Sequence, residues 1–341
     1  MKIALVAPPL LPVPPIRYGG VERVVGVLAD GLHARGHDVT LFAPGDSLVA
    51  CRLVPTMAEG LWNDGFHPDP AAHFARTSAM VLEAAADFEL IHSHLDQYGF
   101  DLARSSPTPV VSTIHGRTDI DPIAGAIASH EDVPLVAISD SQRAFAPNGN
   151  WIATVHHGLD FTGVAAGEGR GGYLLFVGRL SHDKGIEETV ELARRSGHRL
   201  LVAAKALDPR ELEIYENVIA PAVSDGFVEF LGEVDEAQRD RLLGEALATV
   251  MLSRWPEPFG LVAIESLATG TPLIATRSGA LPDIVIDGQD GYIVDDVAGG
   301  IAAVTRVGGL DRARIRGRAL ERFSAARMVD DYVAVYERLL Q

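Results

Sequence analysis

Two carboxylates stand eight positions apart in the stretch Glu257-Pro-Phe-Gly-Leu-Val-Ala-Ile-Glu265. Pro256 and Pro258 flank the first. Proline fixes its own backbone angle and drives the residue before it out of helical geometry, so Glu257 belongs to a stiff loop and a helix can open only at about Gly260. The run Leu261–Thr269 is almost wholly apolar or small and stops at Gly270, the pattern of a helix buried on every side. A lone carboxylate inside it, Glu265, is costly unless something binds it. The partner is either internal, a backbone amide or an Arg, or a ligand that offers hydroxyls, such as the two of a ribose.

Other segments fall where an apolar run ends and a helical pattern begins. Gly178-Arg-Leu-Ser-His-Asp-Lys-Gly185 sets Arg179 and Lys184 around a tight loop. A diphosphate suits such a pair, Arg as a planar fork and Lys as a point charge, and the same charges would stabilise a departing nucleotide diphosphate. Solvated surface cations are the plainer reading. Gly19-Gly20 opens a helix at Val21 and is either an anion-binding turn or a simple one. His115, in Ile114-His-Gly116, would hold a substrate hydroxyl, relay a proton, or serve structure alone. His92-x-His94 and His156-His157 look like metal pairs, but no acidic or thiolate partner with suitable spacing accompanies them, so no metal site is expected.

These residues need a scaffold that brings strand ends together. Short apolar runs at Ile3–Ala7, Val39–Ala43, Leu90–His92, Val110–Ile114 and Leu135–Ile138 alternate with helical spacing at Val21–Arg35 and Ala71–Ala86. Alternation resumes at Tyr173–Val177, Leu200–Ala204, Val228–Leu231, Thr249–Leu252, Pro272–Ala275 and Tyr292–Val294. Repeated strand–helix units predict parallel sheets, and two such series predict two doubly wound α/β (Rossmann-like) domains facing across a cleft, with ligands at the carboxyl ends of the strands. The divisions expected are 1–160, a linker at 161–172, 173–324, and a last helix at 325–341 with no strand after it to pack on. Gly167-x-Gly169-x-x-Gly172 in the linker matches a dinucleotide fingerprint as text, but it precedes a strand instead of following one and reads as flexible chain.

The net charge is −17, with 9 Lys/Arg against 18 Asp/Glu in residues 1–160 and 20 against 28 in the remainder. Acidity in both halves argues against a nucleic-acid partner and weakens any case for docking on anionic lipid. The single Cys51 excludes an intramolecular disulfide and fits a reduced, cytoplasmic setting. The proline-broken start reads as a first strand and not a signal peptide, and no apolar run is long enough for a transmembrane segment.

Together the segments Tyr18–Val25, Gly36–Phe42, Ile138–Arg143, Phe176–Gly185, Glu257-x7-Glu265 and Gly279–Val285 resemble the family 4 retaining glycosyltransferases of the two-domain GT-B fold. The resemblance implies that Glu257 contacts the donor sugar, Glu265 the ribose, Arg179 and Lys184 the diphosphate, and His115 the sugar near the reacting centre. Phe259, Gly260 and Leu261 would line the donor site and Gly19 and Gly20 would close on it. Gly232 and Val234 would lie along the base, and the last helix would cross back onto the N-terminal domain. It also implies a hexose moved from a UDP- or GDP-linked donor to an acceptor hydroxyl, on a sugar, lipid-linked sugar or natural product, without a metal or other cofactor. Loops Asn63–Pro70 and Arg117–Asp121, with Arg117 and Arg143, are the candidates for the acceptor side. The chain departs from the family at Lys205, where many relatives carry Gly and where a cation could reach phosphates or base. It departs also at Asp283, in place of Glu, and at His157, in place of Asn. The rival readings are a nucleotide-sugar epimerase of the same architecture and a non-catalytic nucleotide-sugar binder.

Overall fold

Runs such as Ile3–Val6 and Leu174–Val177 are apolar without alternation, and a strand of that kind is stable only when both faces of its sheet are covered. The computed structural model, which describes every residue except Arg17, Tyr18, Asp64, Phe66, His67, Pro68 and Leu207, bears this out. Two units are present, Met1–Asp160 with Phe323–Gln341, and Phe161–Arg322.

In the first unit the strands are β1 (Lys2–Val6), β2 (Asp38–Ala43), β3 (Arg52–Pro55), β4 (Leu90–Ser93), β5 (Val110–Ile114), β6 (Leu135–Ala137) and β7 (Trp151–Thr154). They form one parallel sheet in the order β3-β2-β1-β4-β5-β6-β7. The second unit carries β8 (Leu174–Arg179), β9 (Leu200–Lys205), β10 (Val228–Gly232), β11 (Ala248–Met251), β12 (Leu273–Thr276) and β13 (Gly291–Val294), parallel in the order β10-β9-β8-β11-β12-β13. Strand order reverses between β1 and β4 in one sheet and between β8 and β11 in the other. These are the switch points at which doubly wound sheets take their ligands. The core of the second unit packs Leu174, Phe176, Val202 and Ile274 against Ile186, Leu192 and Val304. Each fully buried side chain of this size contributes about 1.5–3 kcal/mol.

Two strands, β3 and β7, are absent from the sequence reading. Both are sheet edges and neither holds a buried residue, so they lack the apolar signal that marks the inner strands. The segment read as flexible chain is tied down instead. Gly167, Gly169 and Gly171 donate their amides to the carbonyls of Thr269, Gly244 and Glu245 at 2.8, 3.0 and 2.9 Å, and Arg312 Nε binds the Gly167 carbonyl at 3.0 Å. A Cβ on Gly167 would run into the Gly244 backbone, so this glycine serves close packing.

The terminal helix Ala325–Leu339 belongs to the first unit. Ser324 caps it, Arg35 pairs with Asp330 at 2.7 Å, and Val329 lies over Gly31 of the helix Gly20–Ala34. Tyr332 and Tyr336 are wholly buried. No helix among the described residues is long and apolar enough to cross a membrane.

Candidate active site

The basic loop of the second unit follows β8. Arg179 is the last residue of that strand, and Lys205, the last of β9, is its register partner. In-register neighbours of a parallel sheet project to the same face, so the two cations share one side of the strand ends. Neither side chain makes an ion pair among the described residues, and Arg179 Nε is buried without a hydrogen-bond partner. Two adjacent cations and a desolvated donor make this end of the sheet locally positive. Gly232 ends β10 on the far side of β9 with φ 69°, and Val234 follows it just before the capping box Asp235–Gln238.

Lys184 takes a different course. It closes a short turn, His182–Lys184, ahead of the helix Ile186–Ser196. Its Nζ donates to both oxygens of Glu257 at 2.9 and 2.7 Å and lies 4.8 Å from the centre of the Trp255 ring. Trp255 Nε1 donates to the same carboxylate at 3.0 Å. Glu257, 6% exposed, is therefore held as an oriented anion. The proline-flanked loop is pinned from both sides. Arg254 N donates to Asp183 O at 2.9 Å, Ala280 N to Glu257 O at 2.9 Å, and Ser278 Oγ to Trp255 O at 2.6 Å. Gly185 and Gly279 are forced choices here, because a Cβ on either would strike the backbone of Leu252 or of Glu257.

The helix after this loop spans Leu261–Ala268. Gly260 precedes it at φ 93°, a left-handed position, and no side chain caps it. Its first amides, at Leu261 and Val262, have no partner within the helix, as at any helix start. Phe259 is buried beside them. Glu265 is buried too, but it is not alone: Arg239 Nη1 stands 3.2 Å from its Oε1. The internal Arg that the sequence left open is thus present. Arg239 comes from the helix Glu236–Glu245, and nothing local to Glu265 announces it.

In the first unit the strand ends gather imidazoles. His94 Nδ1 and His115 Nε2 are 2.9 Å apart, the His115 and His157 rings stack at 5.2 Å, and the His92 and His94 rings lie 4.0 Å apart. His92 is bonded on both nitrogens, to Tyr336 Oη and Thr113 Oγ1, each at 2.7 Å, and Thr113 reaches Tyr332 Oη at 3.1 Å. Burial lowers His92 and His115 to about 3 and presses His94 and His157 well below the ordinary range, so the cluster is neutral. The His115 turn is fixed from below. Asp96, at φ 50°, accepts from His115 N at 2.7 Å, while the Gln142 amide donates to the carbonyls of Ile114 and Gly116, each at 2.9 Å. Burial raises the Asp96 carboxyl to about 6.

Gly19, at φ 154°, precedes the helix that Gly20 opens, and the adjacent Glu22 is buried, its carboxyl pushed up to about 7. The two arginines named for the acceptor side are engaged within the unit. Arg117 is paired with Asp119 at 2.6 Å and Arg143 Nη1 bonds Thr154 at 3.2 Å. In the loop Asn63–Pro70, Asp64, Phe66, His67 and Pro68 lie outside the described residues, as does Tyr18 of the Gly-Gly segment. Sequence reasoning missed Asp96, His94, Arg239 and Trp255. Of these only His94 carries a signal in the sequence, its spacing from His92, and that spacing points to metal and not to a contact with His115.

Known proteins place this architecture. Residues 18–161 match Glycosyltransferase Family 4 and residues 168–303 match the Glycosyl transferases group 1 family. Glycogen synthase of Mycobacterium tuberculosis is 29% identical, with 86% of this chain and 83% of the relative covered. A phosphatidyl-myo-inositol mannosyltransferase of Mycolicibacterium smegmatis is 26% identical over 95% and 88% of the two chains. Among solved structures, AviGT4, a glycosyltransferase involved in avilamycin A biosynthesis, superposes with a TM-score of 0.75 at 27% identity, covering 99% of this chain and 98% of its own. Two parallel α/β units agree with these matches, and the chain belongs to the family 4 glycosyltransferases of the GT-B fold.

Proposed function

We propose that the protein transfers a hexose from a UDP- or GDP-linked donor to an acceptor hydroxyl, with retention at the anomeric carbon and without a metal ion. The observation that carries this reading is the in-register pair Arg179 and Lys205, both without an anionic partner, beside the oriented Lys184–Glu257 pair. A nucleoside diphosphate supplies the missing negative charge. Arg179 grips it as a fork, and the uncapped helix at Gly260 and Leu261 adds backbone donors. Lys205, Gly232 and Val234 lead from the phosphates toward the base. Glu265, anchored by Arg239, takes the ribose, and Phe259 packs under it. Lys184 shares its charge between Glu257 and the leaving diphosphate, while Glu257 holds the sugar; the family resemblance assigns His115 to the sugar as well. The family resemblance assigns the amides of Gly19 and Gly20 to the phosphate as well.

Hexose and retention follow the family resemblance, and a glycogen synthase and a mannosyltransferase among the relatives agree with a hexosyl donor. Acceptors differ between these relatives, so the acceptor is a sugar, lipid-linked sugar or natural product, met by the Arg117 and Arg143 side of the first unit. The setting we assign is cytoplasmic, on the one buried and unpaired Cys51.

A thermal-shift screen of UDP, GDP and ADP and their hexose conjugates tests the donor, since a bound ligand raises the melting temperature by mass action. A shift with none of them overturns the reading. Turnover with excess chelator tests metal independence: activity lost and restored by magnesium would sink that part. The anomeric configuration of the product, read by NMR coupling, tests retention.

A further inference from the structure

We infer that His94 is a positioning residue that holds His115 with its ring proton on Nδ1, so that His115 meets the substrate as a hydrogen-bond donor and not as a base. This rests on the assignment of His115 to the sugar side of the site.

The argument starts from the 2.9 Å contact between His94 Nδ1 and His115 Nε2. A neutral imidazole carries one N–H and one bare nitrogen, so one ring donates and the other accepts. The remaining nitrogens, His94 Nε2 and His115 Nδ1, are both buried and have no hydrogen-bond partner among the described residues. Either arrangement therefore leaves one buried N–H unmatched, and a buried N–H without an acceptor costs more than a bare acceptor.

Suppose His115 donates. The orphan proton then sits on His94 Nε2, on a residue 1% exposed. Its close neighbour His92 cannot help, because Tyr336 and Thr113 occupy both of that ring's nitrogens. Suppose instead that His94 donates. The orphan proton is then on His115 Nδ1. Both rings follow strand ends, His94 after β4 and His115 after β5, but His115 is 9% exposed against 1% for His94. The second arrangement therefore puts the orphan proton on the more open ring, the one assigned to the sugar, where a ligand can supply the acceptor. A sugar hydroxyl oxygen fits it. The His157 ring stacked on its face holds the His115 ring against a flip that would exchange its two nitrogens.

Selective 15N-histidine labelling with long-range proton–nitrogen correlation shows which ring nitrogen carries the proton. The expected result is Nδ1–H for His115 and for His94 in the wild-type protein. His94→Leu removes the donor, and His115 should then move toward Nε2–H. Sugar transfer should fall about ten- to a hundredfold, as for other residues that orient a site group, while affinity for UDP or GDP stays unchanged. His94→Asn, whose amide can donate from near the Nδ1 position, should recover most of the turnover. Wild-type His115 protonated on Nε2 overturns the proposal, as does a His94→Leu protein with unchanged tautomer and turnover. Should His94→Leu not fold, the wild-type tautomer and the Asn variant still decide. The tautomer measurement needs no substrate, so its failure is distinct from a failure of the donor assignment.

Discussion

The two units place opposite chemistry at equivalent points of the same architecture. At the strand ends of the second unit stand charges: Arg179, Lys205, and Lys184 bonded to Glu257. At those of the first stand imidazoles that burial keeps neutral, His94, His115 and His157. The difference teaches how a parallel sheet divides labour. One sheet end keeps adjacent cations without an anionic partner among the described residues; the other suppresses charge by burying its imidazoles. The cost on the second side is repulsion between cations, and on the first it is buried nitrogens without partners.

The largest effect expected is at Lys184. Lys184→Ala leaves the Glu257 carboxylate buried against Trp255 with its cation gone and removes charge from the leaving diphosphate. Turnover should drop by about 100- to 1000-fold. Part of the loss should be recovered in the Lys184→Ala/Glu257→Gln double variant, because the two side chains are in contact and their effects are not additive. Strictly additive losses would show that the pair does not act as a unit.

Next come the two carboxylates, which differ in their partners. Glu265→Gln weakens a charge-assisted contact to a diol and should cost about 1–3 kcal/mol in affinity for nucleotide and nucleotide sugar alike, seen mainly in KM. Glu257→Gln should leave free nucleoside-diphosphate affinity nearly unchanged and lower kcat. Calorimetric titration of both variants with UDP or GDP separates them, and equal weakening would refute the assigned roles. Arg239→Met with Glu265→Gln tests whether Glu265 serves the fold first: if the pair is structural alone, nucleotide affinity will not follow it.

The neutral cluster predicts an acid weakness confined to the first unit. His115 titrates near 6.5 when unfolded and at about 3 when folded. Between those values the unfolded chain binds more protons, so stability is fully present above about pH 6.5 and declines as pH falls toward 3. At about pH 5 the loss from His115 alone is roughly 2 kcal/mol, and His94 and His157 act in the same direction. Glu22, raised from 4.5 to about 7, and Asp96, raised from 3.8 to about 6, oppose them: their contributions are complete below about pH 4.5 and 3.8 and are lost as pH rises to 7 and 6, while His92, lowered to about 3, adds to the loss. Hydrogen exchange at pH 5 and pH 7.5, corrected for intrinsic rates, should show protection lost first around Leu90–Gly116. Equal loss in the second unit would break the contrast.

The smallest effect is at Lys205. Lys205→Gly should weaken nucleotide binding by a few-fold, about 0.5–1 kcal/mol for a partly exposed cation, and flatten its salt dependence. No change in that slope would remove Lys205 from the anion site.

The pattern of residues along the chain determined a good deal without any structure. Uninterrupted apolar runs between amphipathic stretches specify doubly wound parallel sheets, because only a sheet covered on both faces tolerates such strands. Pro256 and Pro258 make a stiff loop of Glu257, and Gly260 starts the helix behind it, through local backbone sterics. The basic loop Gly178–Gly185 was legible for the same reason, since its glycines and charges stand next to one another in sequence. The tertiary structure decided which charge meets which. Lys184 and Glu257 are 73 residues apart, and His92 and Tyr336 are 244 apart. Arg239 reaches Glu265 from another helix, and His157 reaches His115 from after the edge strand β7. Local periodicity records only whether a residue is buried. Its partner depends on which strands become neighbours, and that follows from the packing of the whole sheet.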